Sequence, residues 1–429
     1  MREMKDSGVP WLKEIPVSWN VERGKNVLVL QKRPVRENDE VVTCFRDGEV
    51  ILRSLRRTEG FTMSDKEIGY QGINEGDIVI HGMDGFAGAM GVSKSTGKGS
   101  PVLIVCTPKY DAIPQYIIYY LRALAMTDVF VALATGIRER SCDLRWNKVS
   151  ELEFIMPSSS EQQKIVEFLD RKCAEVDEMI GLQEQIIEEL KAYKQSVITE
   201  AVTKGLNPAA PMRDSGIEWI GQIPEHWEVC RIKNAASLFG RIGFRGYTSD
   251  DLNKDGEGAI TLSPSNMLPM GMDYSSVTYL SWAKYYESPE IQIQNGDILM
   301  VKTGSSYGKV SYVDNLPREA TINPQILRIV SKINSKYLGY YLQTPLFIYQ
   351  VEGGVVGGTI PTISQEKINN FFIVASPTQE QKAIANYLDE KCADIDSLIQ
   401  TKLSKIDNLK EYKKSIIYEY VTGKREVDE

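Results

Sequence analysis

The chain has 429 residues, room for roughly two or three domains with cores of their own, and an ordinary globular balance of 25% charged and 42% hydrophobic residues. No run approaches the length of a membrane span and the N-terminus has no signal-peptide pattern, so a cytoplasmic location is expected. The net charge of −8 speaks against a surface coated in phosphate-binding residues but leaves room for local basic patches.

Six cysteines stand singly without a C-x-x-C, which points away from a zinc ribbon or a disulfide framework. The two histidines, His81 and His226, offer little for metal or acid–base chemistry.

The first segment, MKDSGVPWLKEIPVSW at 4–19, returns as MRDSGIEWIGQIPEHW at 212–227. Glu161-Gln162, Leu169-Asp170 and Lys172-Cys173-Ala174 likewise return as Glu380-Gln381, Leu388-Asp389 and Lys391-Cys392-Ala393. Between these blocks lie stretches that agree mainly in pattern. One frame, written twice, carries two different inserts, as a molecule presenting two reading heads at a fixed separation would require.

The inserts, near 20–157 and 228–376, read as mixed α/β. Residues 77–81 and 297–301 are short apolar strands, each entered through a Gly-Asp turn, and a Gly-rich hairpin follows each at 82–88 and 302–308. A further strand comes next, at 102–106 or 326–330. A helix marked by Tyr116, Tyr119, Tyr120 and Leu121, or by Tyr337, Tyr340, Tyr341 and Leu342, then follows.

The glycine loops are not phosphate loops: Gly304 to Val310 is one residue short and lacks the final Ser or Thr, and Ser95 to Ser100 lacks the upstream glycine. A tight hairpin that brings backbone and short polar side chains close to DNA fits better, with a plain turn as the alternative.

After each insert comes a long helix. Leu169, Cys173, Val176, Ile180, Gln183, Ile187, Leu190, Lys194, Val197 and Ala201 recur at alternating spacings of four and three. Leu388, Cys392, Ile395, Ile399, Lys402, Ile406, Leu409, Lys413, Ile416 and Tyr420 repeat that register. These are heptad seams, and each rod of about 40 residues would run about 60 Å. The seam residues expected to pair the two helices are Leu169, Val176, Ile180, Ile187, Leu190, Val197, Leu388, Ile395, Ile399, Ile406, Leu409 and Ile416.

Matched polar breaks, Gln183 with Lys402 and Lys194 with Lys413, either fix the register or lay a lysine stem over the seam. An antiparallel pairing would set Cys173 against the region of Ile416 and leave both seam cysteines as core thiols.

Basic residues cluster in the first insert at Arg53, Arg56 and Arg57, at Lys94 and Lys98, and at Arg138, Arg140 and Arg145. The second insert offers Arg241, Arg245, Lys302 and Lys309. Arginine can grip guanine with two hydrogen bonds, and both cations neutralise phosphate. Asn266, Ser305, Ser306, Tyr307, Asn323, Gln325 and Thr359, in expected loops, add groups suited to base edges. Taken singly, each of these reads at least as well as a solvated surface residue.

The chain has no Asn/Asp-Pro-Pro-aromatic tetrapeptide of the kind an exocyclic-nitrogen DNA methyltransferase needs, and no H-E-x-x-H or paired His/Cys arrangement. An enzyme in its own right, nuclease or methyltransferase, and a pure protein scaffold are the rival readings.

The D-S-G-x-x-W block, the G-D-(I/L) strand with its glycine hairpin, and the E-Q…L-D-x-K-C helix opening recur in order along nearly the whole chain. They resemble the specificity subunit of type I restriction–modification systems, as do Val202-Thr203 and Val421-Thr422. The second copy continues Gly423-Lys424 and the first Lys204-Gly205.

The resemblance implies an α+β fold: two globular α/β target-recognition domains separated by two long antiparallel helices forming a coiled coil, an internal tandem repeat with pseudo-two-fold symmetry. The domains would be 1–157 and 206–376, and the helices 158–205 and 377–429. It further implies a non-catalytic subunit whose domains each read one half of a bipartite, asymmetric site on double-stranded DNA. The helices would set the spacer and dock two modification subunits. The chain itself would hold no cofactor: S-adenosylmethionine belongs to the modification subunits, and ATP and Mg to separate restriction/motor subunits.

Overall fold

The computed structural model describes residues 2–56, 68–127, 129–130, 144–241, 243, 246–253, 256–355 and 361–427. The chain falls into two compact units, Met1–Glu184 with Leu403–Glu429, and Gln185–Lys402. Both cuts fall inside a long helix, so each unit holds one insert together with half of each helix.

In the first unit a four-stranded antiparallel sheet runs in the order β1-β4-β2-β3, with β1 Leu28–Leu30, β2 Ile78–His81, β3 Met90–Val92 and β4 Leu103–Pro108. Ile78, Ile80, Ile104 and Cys106 face a core built on helix α1 (Pro114–Met126), whereas Val79, Leu103 and Val105 face a second cluster with Val42 and Val50. Covered on both faces, these strands read as unbroken apolar runs rather than as alternation. Helix α2 (Trp146–Glu151) closes the insert and leads into the long helix α3 (Ser159–Lys204).

The second unit repeats the plan. Its sheet, in the order β5-β8-β6-β7, comprises β5 Ala236–Gly240, β6 Ile298–Val301, β7 Val310–Tyr312 and β8 Ile326–Ser331. Helices α4 (Ser335–Tyr341), α5 (Gln365–Asn369) and the long α6 (Thr378–Val421) follow. On the far face the inserts diverge. The first carries two-stranded ribbons, and the second a further four-stranded sheet that includes one parallel pair, Ala259–Leu262 with Ala320–Ile322.

The residues shared by the two copies hold the frame together. The Gly-Asp turns are structural. Asp77 accepts the backbone N–H of Asn74 at 2.7 Å and pairs with Arg33; Asp297 accepts that of Gln294 at 2.8 Å and pairs with Arg328 at 2.7 Å. Trp19 and Trp227 each donate their indole N–H to the first-turn carboxylate of a long helix, Glu161 and Glu380, at 2.9 Å.

The buried Tyr116 hydroxyl lies 2.8 Å from the carbonyl of Ile155 and 3.3 Å from that of Val421, at the end of α6. Tyr337 does the same with Val374 at 2.9 Å and Val202 at 3.0 Å. The last carbonyls of a helix have no partner within it, and here a tyrosine from the sheet-packing helix meets one of them.

Within each unit the long helices run antiparallel. Phe168 stacks near Tyr420, with ring centroids 4.3 Å apart, and Asp177 pairs with Lys413 at 2.6 and 2.7 Å. In the other unit Lys194 pairs with Asp396 at the same two distances. The two ion pairs are repeat equivalents of each other, so the seam lysines make specific contacts instead of only trailing a stem across the surface.

Leu169, Val176, Ile187, Leu388, Ile395, Ile399, Ile406 and Ile416 are buried, and Ile180, Leu190, Val197 and Leu409 are half-buried. Cys173 shares a core with Ile416, and all the described cysteines are free.

Replacing Tyr337 by Phe removes the one buried O–H that the two carbonyls share and is expected to cost about 1–2 kcal/mol in a urea titration of the full chain. Tyr193→Phe, at an exposed site, is expected to cost under about 0.5 kcal/mol. Equal effects would contradict the anchoring role.

Candidate nucleic-acid interface

In both units the central sheet ends at a corner built by the same backbone bonds. The N–H of Gly82, just beyond β2, donates to the carbonyl of Val102 at 2.9 Å, and Leu144 donates back to Gly82 at 2.9 Å. In the second unit Lys302 donates to Gln325 at 2.8 Å, and Ile363 donates back to Lys302 at 2.9 Å. Three segments thus meet at each corner: the hairpin after the second strand of the motif, the turn before the next strand, and the approach to a short helix.

In the first unit this corner opens into a cleft of about 710 Å³ whose walls include Lys32, Tyr70, Gln71, Gly82, Arg145 and Trp146. A cation, a guanidinium and two aromatic rings around a backbone floor suit a ligand with phosphates and flat bases. A second cleft of about 570 Å³ borders the same hairpin, lined by Arg53, Arg56, His81 and Asp84 among others.

That second cleft is electrostatically muted. Arg56 bonds Asp47 at 2.5 and 3.1 Å and Glu49 at 3.0 Å, lies over the Phe45 ring at 4.3 Å, and holds the Asp47 carboxyl below its usual range. Arg53 donates to the Thr43 hydroxyl at 3.1 Å, and Lys94 lies 3.5 Å from Glu49. Burial lowers the pKa of His81. Lys98 sits in the strand Gly97–Gly99, apart from the larger cleft.

In the second unit the hairpin 302–309 is tight: Gly304 and Gly308 have φ of +105° and +82°, which a side chain would strain. Gly304 donates to the carbonyl of Pro361 at 3.1 Å, and the Asn323 amide reaches Gln325 at 3.3 Å. Lys302, Ser305, Ser306, Tyr307, Asn323 and Gln325 therefore gather at one corner. Lys309 lies beside it, donating to the Pro264 carbonyl at 3.1 Å.

Two expectations are corrected. Arg241 is not a surface residue: it is only 6% exposed, donates to the carbonyl of Ile322 at 3.2 Å and the hydroxyl of Thr321 at 3.1 Å, and stacks over Tyr247 at 5.0 Å. Burial lowers its pKa. Asn266 is 4% exposed and its amide is fully engaged, accepting from Ser263 and donating to the carbonyls of Asp273 and Ser276 at 3.1 and 2.8 Å. Both hold loops in place.

Arg57, Arg138, Arg140, Arg245 and Thr359 lie outside the described residues. Lys32, Tyr70, Gln71, Trp146 and Gln365 were missed by sequence reasoning. Their signal is positional, since each sits at a strand end or helix start that only the sheet register brings to the corner. Among the described residues no cluster of three or more metal-ligating side chains occurs, and no helix is long and apolar enough to cross a membrane.

Known proteins share this architecture. A family model described as the type I restriction modification DNA specificity domain matches residues 224–408. A putative type I restriction enzyme MjaX specificity subunit of Methanocaldococcus jannaschii is 25% identical over 96% of this chain and 94% of its own length. The MjaVIII specificity subunit of the same organism is 24% identical over 96% and 93%.

A chain solved in work on complex assembly and conformational transition of the type I R-M system superposes with a TM-score of 0.72, at 16% identity, over 96% of this chain and 99% of that one. The HsdS subunit from Thermoanaerobacter tengcongensis gives 0.52, also at 16% identity, over 96% and 98%. Fold and repeat thus define a doubled sheet-and-helix specificity architecture. Residues 224–408 match that DNA specificity domain, and nearly the whole chain is similar to type I restriction–modification specificity subunits.

Replacing Arg241 by Ala is expected to destabilise the protein by about 2–3 kcal/mol, because the buried carbonyl of Ile322 loses a charged donor. A thermal melt checks this. An unchanged melt with weakened DNA binding would make Arg241 a contact after all.

Proposed function

We propose that this chain is the DNA-recognition and assembly subunit of a type I restriction–modification complex, without a catalytic centre of its own and acting in the cytoplasm. The domain within 1–157 reads one half of a bipartite site and the domain within 206–376 the other. The observation that carries the reading is the corner built twice from matching backbone bonds but dressed with different side chains. A shared scaffold with unlike faces is what two half-sites of unlike sequence require.

In this reading the first corner offers Lys32, Tyr70, Arg145 and Trp146 to DNA, and the second Lys302, Ser305, Ser306, Asn323 and Gln325. Arg53, Arg56, Lys94 and Lys98 form a flank of lower priority, where acidic neighbours offset part of the charge of Arg56 and Lys94. Lys309 and Tyr307 border the second corner.

The long helices serve as the spacer and as docking surfaces for two modification subunits. In support, one large apolar side chain and one tyrosine are exposed at repeat-equivalent places along the helices of each unit, beside Leu182 and Leu403, which are exposed in the first unit alone. Met179 (48% exposed) and Tyr412 (52%) lie in the first unit, Leu398 (50%) and Tyr193 (59%) in the second. Exposed apolar groups in matched pairs suit two copies of one partner. The modification subunits would bind S-adenosylmethionine and methylate adenine, and the restriction/motor subunits would use ATP and Mg.

This division of labour also accounts for the net charge of −8, since partners that enclose the duplex supply most phosphate contacts. The isolated chain is therefore expected to bind duplex DNA weakly. The assembled complex is expected to bind much more tightly, with a steep linear fall of log affinity against log salt. Equal affinity and salt slope with and without the modification subunits would contradict the proposal.

A further inference from the structure

The strand registers equate Leu30, Cys106 and Ile78 in the first unit with Leu238, Ile329 and Ile298 in the second. Two residues beyond Leu30 stands Lys32, and its counterpart two beyond Leu238 is Gly240. Four residues beyond Ile78 stands Gly82, and its counterpart four beyond Ile298 is Lys302. The lysine and the glycine have changed strands between the two units. Each corner keeps one lysine and one glycine, but the cation arrives from opposite sides.

Room explains the pairing in the second unit. A Cβ on Gly240 would lie 2.8 Å from the Leu327 side chain, 3.4 Å from Lys302 Nζ and 3.7 Å from Gln365 Oε1. The bare backbone of Gly240 is the wall against which the lysine head rests. In the first unit a Cβ on Gly82 would fall 2.7 Å from the carbonyl oxygen of Leu144 and 3.0 Å from that of Val102, so there the lysine stands on the other strand.

Lys302 is half-buried, and its ammonium has no hydrogen-bond or ion-pair partner among the described residues. Its pKa is pulled below the ordinary lysine value, with burial as the cause and no charged neighbour contributing. A desolvated ammonium without an acceptor is unfavourable unless a ligand supplies one. Its surroundings are amides: Gln325 shares a backbone bond with it, Asn323 bonds Gln325, and Gln365 presents its oxygen beside Gly240. Amides suit base edges more than phosphates.

We propose that Lys302 is the base-reading cation of the second domain, donating to the O6 and N7 acceptors of one guanine in the second half-site. This rests on the recognition role proposed above. A lysine in that role is recessed and specifies one base pair, whereas a phosphate-binding lysine on a rim only strengthens binding to every sequence.

The test uses the assembled complex of this chain with its modification subunits, comparing the natural chain with Lys302→Met and Lys302→Gln, both of which keep the stem. Affinity is measured for duplexes carrying each single base-pair change across both half-sites, at several salt concentrations. Base reading predicts that preference for one G·C pair in the second half-site falls on the order of 10-fold or more. The first half-site and the salt slope stay unchanged.

Uniform weakening across all duplexes, with a salt slope smaller by about one, would make Lys302 a phosphate contact and overturn the proposal. Unchanged affinities in both variants would overturn it too. If the natural complex itself shows no sequence preference, the recognition role fails first, a result distinguishable from either.

Discussion

Everything in this protein hangs on how a sheet is fastened to a pair of helices. One buried tyrosine hydroxyl per unit, Tyr116 or Tyr337, faces a strand carbonyl of its own domain and a carbonyl in the last turn of a long helix. Around it the same joint is tightened three times more. A tryptophan indole meets a first-turn glutamate; Gln162 and Gln381 accept backbone N–H groups at 2.9 Å; Tyr119 and Tyr340 reach Asp170 and Asp389 at 2.5 and 2.9 Å. Buried polar groups are costly when unpaired, so this joint tolerates little change, and it accounts for the residues that recur between copies.

The seam sets the second constraint. Apolar residues at alternating spacings hold the helices, and in each unit a lysine in the seam reaches an aspartate of the facing helix. These pairs are partly exposed and contribute modestly to stability. Their geometry matters more: a slip by one turn would part lysine from aspartate in both copies at once. With the joint and the seam held, the loops at the sheet corner are free to differ. A glycine and a lysine can trade strands there without disturbing the carbonyl bonds beneath them.

Much of this was legible in the chain. The long helices, at Ser159–Lys204 and Thr378–Val421, fall within a residue or so of the expected starts because heptad periodicity and the Pro-Ser and Pro-Thr entries are local signals. The shared tyrosines and the Gly-Asp turns were visible as repeats, though not the reason for them. What escaped was burial within loops. Arg241 and Asn266 look like surface residues in a Gly- and Ser-rich stretch, and only the second sheet of the insert reveals that they are enclosed. Lys32 and Trp146, more than a hundred residues apart in sequence, line the same cleft only because β1 and α2 approach one corner. Pairings across such a distance leave no periodic trace in a single sequence.

The most direct test of two reading heads on one repeated frame is a map of adenine methylation across the genome of cells with and without this chain, the modification subunit being expressed in both. The account predicts one motif of two separated, unlike half-sites, present only with the chain. It also predicts that exchanging residues 228–376 for the corresponding insert of a relative changes one half-site and leaves the other. An unchanged map on removing the chain, with partner expression and assembly verified, would contradict it.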